Sequence, residues 1–237
     1  DLLYWLRCRQ ELTLRSMAAL RRQIDGLGRK VKLGTIPRAA SFSTLTTQDY
    51  QRTHPFFDYI FPKHYFWHRG FDGMYGTVAR WVRVLGEWNP ALTEQDCFAV
   101  VKSWFGLSLP GVNSLADMDL GFTDEFFTEV VYSETRRALE AVGDANKVIA
   151  WVSAGRNPHA GDPMSGRDLY RILTESHRAG LKRFIYHPDL NLTASEWRII
   201  SGLCGNPWKE DPDGYWPGDS PKPGTWNGGR QRPSSRP

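Results

Sequence analysis

Apolar positions along the chain recur with two different spacings. Leu14, Met17, Leu20, Ile24 and Leu27 return every three to four residues, which lines one face of a helix, and Gly26 and Gly28 then stop it. The short apolar run at 31–36 predicts a first strand. A second, at 57–61, ends at Pro62 and opens into the aromatic and basic stretch 63–72. Three helical patterns follow, at 75–85, at 93–105 around Val100, Val101 and Trp104, and at 123–141 around Phe126, Phe127, Val130 and Val131, the last closed by Gly143.

The run 147–152 predicts a third strand, leading into the Gly/Pro-rich loop 153–163. Ser165 with Asp168 forms a capping pair for a helix over 167–179, which Gly180 ends. The run 183–187 predicts a fourth strand, and Thr193 with Glu196 caps a last helix that holds Trp197 and Ile200. Strands separated by helical segments pair in parallel, because a parallel connection needs about a dozen residues or more. The predicted class is therefore α/β, with the four strands parallel and adjacent and with Thr35, Lys63, Ser153 and His187 near their C-terminal ends on one side. Residues 1–208 form the folded part. Residues 209–237, dominated by Pro, Gly, Ser and charge, are expected to be a flexible tail.

An open doubly wound sheet announces its ligand site by a glycine-rich turn after the first strand, and Gly34-Thr35-Ile36-Pro37-Arg38 lacks that pattern. The stretches Lys30-Val31-Lys32-Leu33-Gly34, Phe57-Asp58-Tyr59-Ile60-Phe61-Pro62-Lys63-His64-Tyr65, Asp162-Pro163 to Gly180, and Phe184-Ile185-Tyr186-His187 resemble strands five to eight of glycoside-hydrolase-like (β/α)8 TIM barrels. The resemblance runs from roughly Trp5 to Trp208 and includes a closing helix from Thr193 to Cys204. It implies the C-terminal half of such a barrel, a carbohydrate ligand and hydrolysis of glycosidic bonds. The alternative is a non-catalytic carbohydrate-binding or interaction module on the same scaffold.

Such hydrolases work with two carboxyl groups flanking the scissile bond. The resemblance places them at the ends of strands four and seven. The corresponding end here, Trp151-Val152-Ser153-Ala154-Gly155, carries no acid, and Asp162 is the nearest replacement on the same loop. His64 and His187 stand at strand ends as further candidates for proton transfer, since an unperturbed imidazole titrates near pH 6.5. Lys63, Tyr65, Trp67, His68, Arg156, Asn157 and Asp189 are candidate substrate-binding residues. Aromatic faces stack on sugar faces, and Arg and Asn supply hydrogen-bond donors for hydroxyl groups. Glu129 and Glu134 lie inside an amphipathic helix and are assigned to a solvated or rim position.

Composition narrows the remaining classes. With 41% hydrophobic and 24% charged residues the chain has the profile of a soluble protein with a core of its own, and no apolar run reaches the roughly 18 to 20 residues that cross a bilayer. The net charge of +4 comes mainly from 7–38 and from the tail beyond 230, without a basic stripe or a nucleic-acid motif, so no nucleic-acid partner is expected. No HxH or HExxH spacing pairs the histidines, and neither a metal nor a cofactor is expected. Cys8, Cys97 and Cys204 are odd in number and widely separated, and read as core thiols. The chain starts at Asp1 inside a helical pattern without Met, so further sequence is expected upstream. A signal peptide there would make the protein secreted or periplasmic. Four strands cannot close a barrel, so the edges at 31–36 and 183–187 call for the upstream half of the same protein or for self-association.

Overall fold

The computed structural model describes residues 1–43, 45–66, 70, 73–152, 165–186 and 192–205. Four helix starts are set by reciprocal side-chain caps. Thr93 and Asp96, Ser114 and Asp117, Ser165 and Asp168, and Thr193 and Glu196 each form a reciprocal capping box, in which the Ser or Thr oxygen accepts from the N3 amide and the N3 carboxylate accepts from the cap amide. Two of the ends use left-handed glycines, Gly106 with φ 57° and Gly143 with φ 72°.

The elements run in the order α1 (Leu2–Asp25), β1 (Gly34–Thr35), α2 (Tyr50–Thr53), β2 (Tyr59–Ile60), β3 (Lys63–His64), α3 (Met74–Trp88), α4 (Glu94–Phe105), α5 (Leu115–Asp119), α6 (Tyr132–Val142), β4 (Ala150–Val152), α7 (Gly166–Arg178), β5 (Phe184–Tyr186) and α8 (Ala194–Cys204). The class is α/β, as the alternation predicts, and every strand pair is parallel. Gly34 and Thr35 pair with Tyr59 and Ile60. Lys63 and His64 pair with Trp151 and Val152, and Ala150 to Val152 pair with Phe184 to Tyr186.

β2 and β3 behave as one strand interrupted at Phe61 and Pro62. Proline has no amide hydrogen to donate, yet its carbonyl still accepts from the Trp151 amide at 2.8 Å. Just before the break, the Ile60 amide donates to the Lys147 carbonyl at 2.8 Å, and Ile60 bridges to Val148 in parallel. Just after it, the Lys63 amide donates to the Pro37 carbonyl at 3.1 Å. The strands form two parallel ladders, β1-β2 and β3-β4-β5, which the bridge at Ile60 and the bonds on either side of the break link in the spatial order β1, β2 with β3, β4, β5, open among the described residues.

Several elements differ from the sequence reading. The first three strands are shorter than 31–36, 57–61 and 147–152 because proline and irregular backbone cut the ladders, and the fourth is described only as far as Tyr186. α1 begins at Leu2 and not near Leu14. The helix expected over 123–141 is divided: Phe126–Val131 is a π-helical turn and only Tyr132–Val142 is α-helix. The wider turn turns two adjacent pairs, Phe126 with Phe127 and Val130 with Val131, into the core together. Of the three expected core thiols, Cys97 is buried, Cys8 is half-buried and Cys204, at the end of α8, is exposed. The tail 209–237 lies outside the described residues.

The core lies between the sheet and the helices on its flank. Ile60, Val148, Ala150 and Val152 are buried from the strands, and Val78, Val82, Phe98, Val101, Ala138, Leu169 and Ile172 are buried from α3, α4, α6 and α7. Near the C-terminal ends of the strands the core is aromatic. The Phe126 ring stacks on Phe122 with centroids 4.0 Å apart and meets Phe66 and Tyr75 edge-on, each at 5.8 Å.

Candidate functional site at the strand C-terminal ends

Parallel strands in chain order bring all their C-terminal ends to one rim. β1 leaves through Ile36, Pro37 and Arg38, β3 through Tyr65 and Phe66, and β4 and β5 end at Val152 and Tyr186. The β3 exit is fixed from below, because the Tyr65 and Phe66 carbonyls accept from the Met74 and Tyr75 amides at 2.9 and 3.0 Å, which ties the rim to the first turn of α3. The β1 exit is fixed from the side. The Arg38 guanidinium lies over the Phe42 ring and donates to the Thr77 hydroxyl, while the Arg38 carbonyl accepts from the Tyr50 hydroxyl.

Three of the expected site residues fall within this rim and are brought together by β3. Lys63 is half-buried and its ammonium lies 5.6 Å from the centre of the Tyr65 ring. Tyr65 is largely buried. His64, expected as a proton-transfer group, is 1% exposed and packs its ring 5.2 Å from that of Phe66. Its Nδ1 has no hydrogen-bond partner among the described residues, and burial lowers its pKa to about 4. The imidazole is thus neutral at physiological pH and faces the core, so it supports the rim from within. Trp67, His68, Arg156, Asn157, Asp162, His187 and Asp189 lie outside the described residues, as does Ser153.

One sequence assignment is corrected outright. Glu134 is 2% exposed and is not solvated, whereas Glu129 is exposed as expected. Its carboxylate accepts from the Ser41 amide at 3.0 Å and from Arg137 at 3.1 Å. Burial raises its pKa, opposed by the Ser41 amide and Arg137. Glu134 therefore anchors the segment after β1 onto α6. Tyr50 lies nearby, and its hydroxyl pKa is raised well above its ordinary value, first by its own burial and then by the charge of Glu134. The signal was present in the spacing: Phe127, Val131, Glu134, Ala138 and Val142 follow one another at helical intervals, and the four apolar members are all buried. Tyr75 was also missed. Its hydroxyl is buried without a partner among the described residues, and desolvation raises its pKa.

Chemically, the described rim offers two cations, Lys63 and Arg38, aromatic faces and backbone groups. None of the rim residues 36–38, 65 and 66 is a carboxylate. Among the described residues no cluster of three or more His, Cys, Asp or Glu side chains could hold a metal ion, and no helix is long and apolar enough to cross a membrane. Comparison with protein-family models, with curated proteins and with solved structures finds no match for this chain.

Proposed function

We propose that this chain supplies strands five to eight, the C-terminal half, of a glycoside-hydrolase-like (β/α)8 barrel, and that its rim takes part in binding a carbohydrate whose glycosidic bond is hydrolysed. The observation that carries the reading is the strand arrangement: four parallel strand positions in chain order, with helices between them, whose C-terminal ends gather Lys63, Tyr65 and Arg38 on one side. Barrel enzymes build their sites on that side. In this reading β1 and β5 pair with further strands, either from an upstream half or from a second copy of the chain, which removes the two open edges. Lys63 and the loops after β4 and β5 contact the sugar. Asp162 acts as one of the two carboxyl groups, protonating the leaving oxygen or activating water.

A second reading is favoured by the lack of a carboxylate among the described rim residues and by the neutral state of His64. It is a binding module on the same scaffold, without hydrolysis. Two variants separate the readings. Lys63→Ala is expected to weaken oligosaccharide binding, measured by titration calorimetry against a panel of soluble α- and β-linked glycans, by roughly tenfold. Asp162→Asn is expected to leave that binding intact while lowering release of reducing ends by roughly 10²- to 10⁴-fold. Binding without any hydrolysis once both sheet edges are paired, by the upstream half or by a second copy, supports the module. Absence of binding to every glycan by that paired, folded assembly contradicts both readings.

A further inference from the structure

The opposite ends of the strands carry a different chemistry. The residues that lead into the sheet are Lys32 before β1, Asp58 before β2, Lys147 before β4, and Lys182 and Arg183 before β5, and they line a shallow cavity of ≈ 540 Å³ together with Tyr59 and Asn146. Parallel pairing in register is what gathers them. With Ala150 opposite Phe184, the start of β4 lies beside the start of β5, and residues distant in sequence share one face.

Asp58 is the one carboxylate in that lining, and it is fully engaged. Its oxygens accept from the Leu33 amide at 2.8 Å, from Arg21 at 3.2 Å and from Lys32 at 3.2 Å. The Leu33 amide is the largest influence holding its carboxyl below its ordinary pKa, with Lys32 and Arg21 adding to it. Two cations already match its charge.

The other three cations are held by neutral groups. Lys147 donates to the Phe57 carbonyl at 3.2 Å and reaches the His54 carbonyl at 3.5 Å. Lys182 donates to the Asn146 side-chain oxygen at 3.3 Å. The Arg183 guanidinium lies over the Tyr59 ring, 5.4 Å from its centre. Three positive charges thus line one cavity whose single carboxylate among the described residues, Asp58, is already engaged by Lys32 and Arg21, and two of them are oriented by contacts that leave donors unused. A lysine ammonium has three donors and an arginine five, the latter in a planar fork that fits two oxygens of one anion. Like charges lining one cavity repel, and a multivalent anion with several acceptor oxygens is the group that relieves the repulsion and occupies the spare donors.

We propose that this cavity binds a tetrahedral oxyanion, the phosphate or sulfate group of a small ester, with Lys182 and Arg183 as its principal ligands and Lys147 supplying field from the floor. The site lies on the opposite side of the sheet from the rim and does not rest on the carbohydrate reading. The test is calorimetric titration of inorganic phosphate, and separately of sulfate, into the 237-residue chain at constant ionic strength held with sodium chloride. Saturable binding with one ion per chain is expected. Lys182→Ala and Arg183→Ala should each weaken it by roughly tenfold. Arg80→Ala, which removes the same charge from an exposed position on α3, should leave it unchanged. Lys182, Arg183 and Arg80 are all exposed, so circular dichroism of the three variants should match that of the unsubstituted chain. Tighter binding of phosphate points to a phosphate ester and tighter binding of sulfate to a sulfate ester. A response that does not saturate, an Arg80→Ala effect as large as that of Arg183→Ala, or a nucleic-acid oligomer that binds several chains through unrelated cations would overturn the site in favour of diffuse charge.

Discussion

Replacing Phe126 with alanine is expected to destabilise the fold by about 3 to 5 kcal/mol, the range for deleting a fully buried aromatic ring. Phe126 has no exposed surface, stacks on Phe122 and meets Phe66, Tyr75 and Phe127 edge-on, so its removal leaves a cavity bounded by four rings. These rings cannot all collapse into it, because Phe66 is tied through its carbonyl to the start of α3 and Phe127 belongs to the same π-helical turn. Urea unfolding followed by near-ultraviolet circular dichroism measures the effect, with exposed Trp88→Ala as a control expected to stay within about 0.5 kcal/mol. A loss of less than about 1 kcal/mol for Phe126→Ala would mean that the aromatic cluster does not organise this end of the core.

Acidification is expected to weaken the fold through His64. In the unfolded chain its imidazole titrates near the ordinary 6.5, while in the folded chain burial holds it at about 4. The folded state therefore favours the neutral form. The associated stability is fully present above pH 6.5 and is lost as pH falls toward 4, and a shift of this size corresponds to at most about 3 kcal/mol. His54, lowered by desolvation and then by Lys147, acts in the same direction. The variant His64→Leu removes the titration while keeping an apolar side chain of similar volume. Comparing urea stability at pH 7 and pH 4, the unsubstituted chain should lose about 3 kcal/mol more than the variant. Equal losses would place His64 in contact with water.

The order and direction of the strands were legible because they follow from connection lengths alone: each pair of apolar runs is separated by enough chain for a crossover, and parallel pairing is then the only short solution. The starts of α7 and α8 were legible for a local reason, since a Ser or Thr three residues before an acid satisfies amides that would otherwise be unpaired. Strand lengths were not, because Pro62 removes a donor from the middle of a run that reads as continuous. His64 stands at a strand end, which is why it reads as a proton-transfer group, yet its side chain is buried. Ile60, Pro62, His64 and Phe66 alternate along the chain and all face inward, so the period of two already assigned the imidazole to the core and Lys63 to the other side. Glu134 was misjudged by its charge, although its place in the helical repeat marked it as buried. In both cases the residue's chemistry was given more weight than its periodicity.

A ligand-binding rim at the C-terminal ends of the parallel strands is tested by hydrogen exchange of the chain with and without a saturating oligosaccharide. Added protection is expected in peptides covering residues 61–66 and 149–152, at the ends of β3 and β4, with none at the strand entrances 30–33 and 181–184 and none on the outer face of α4. Protection confined to the entrances or to α4, with the rim unchanged, would contradict it.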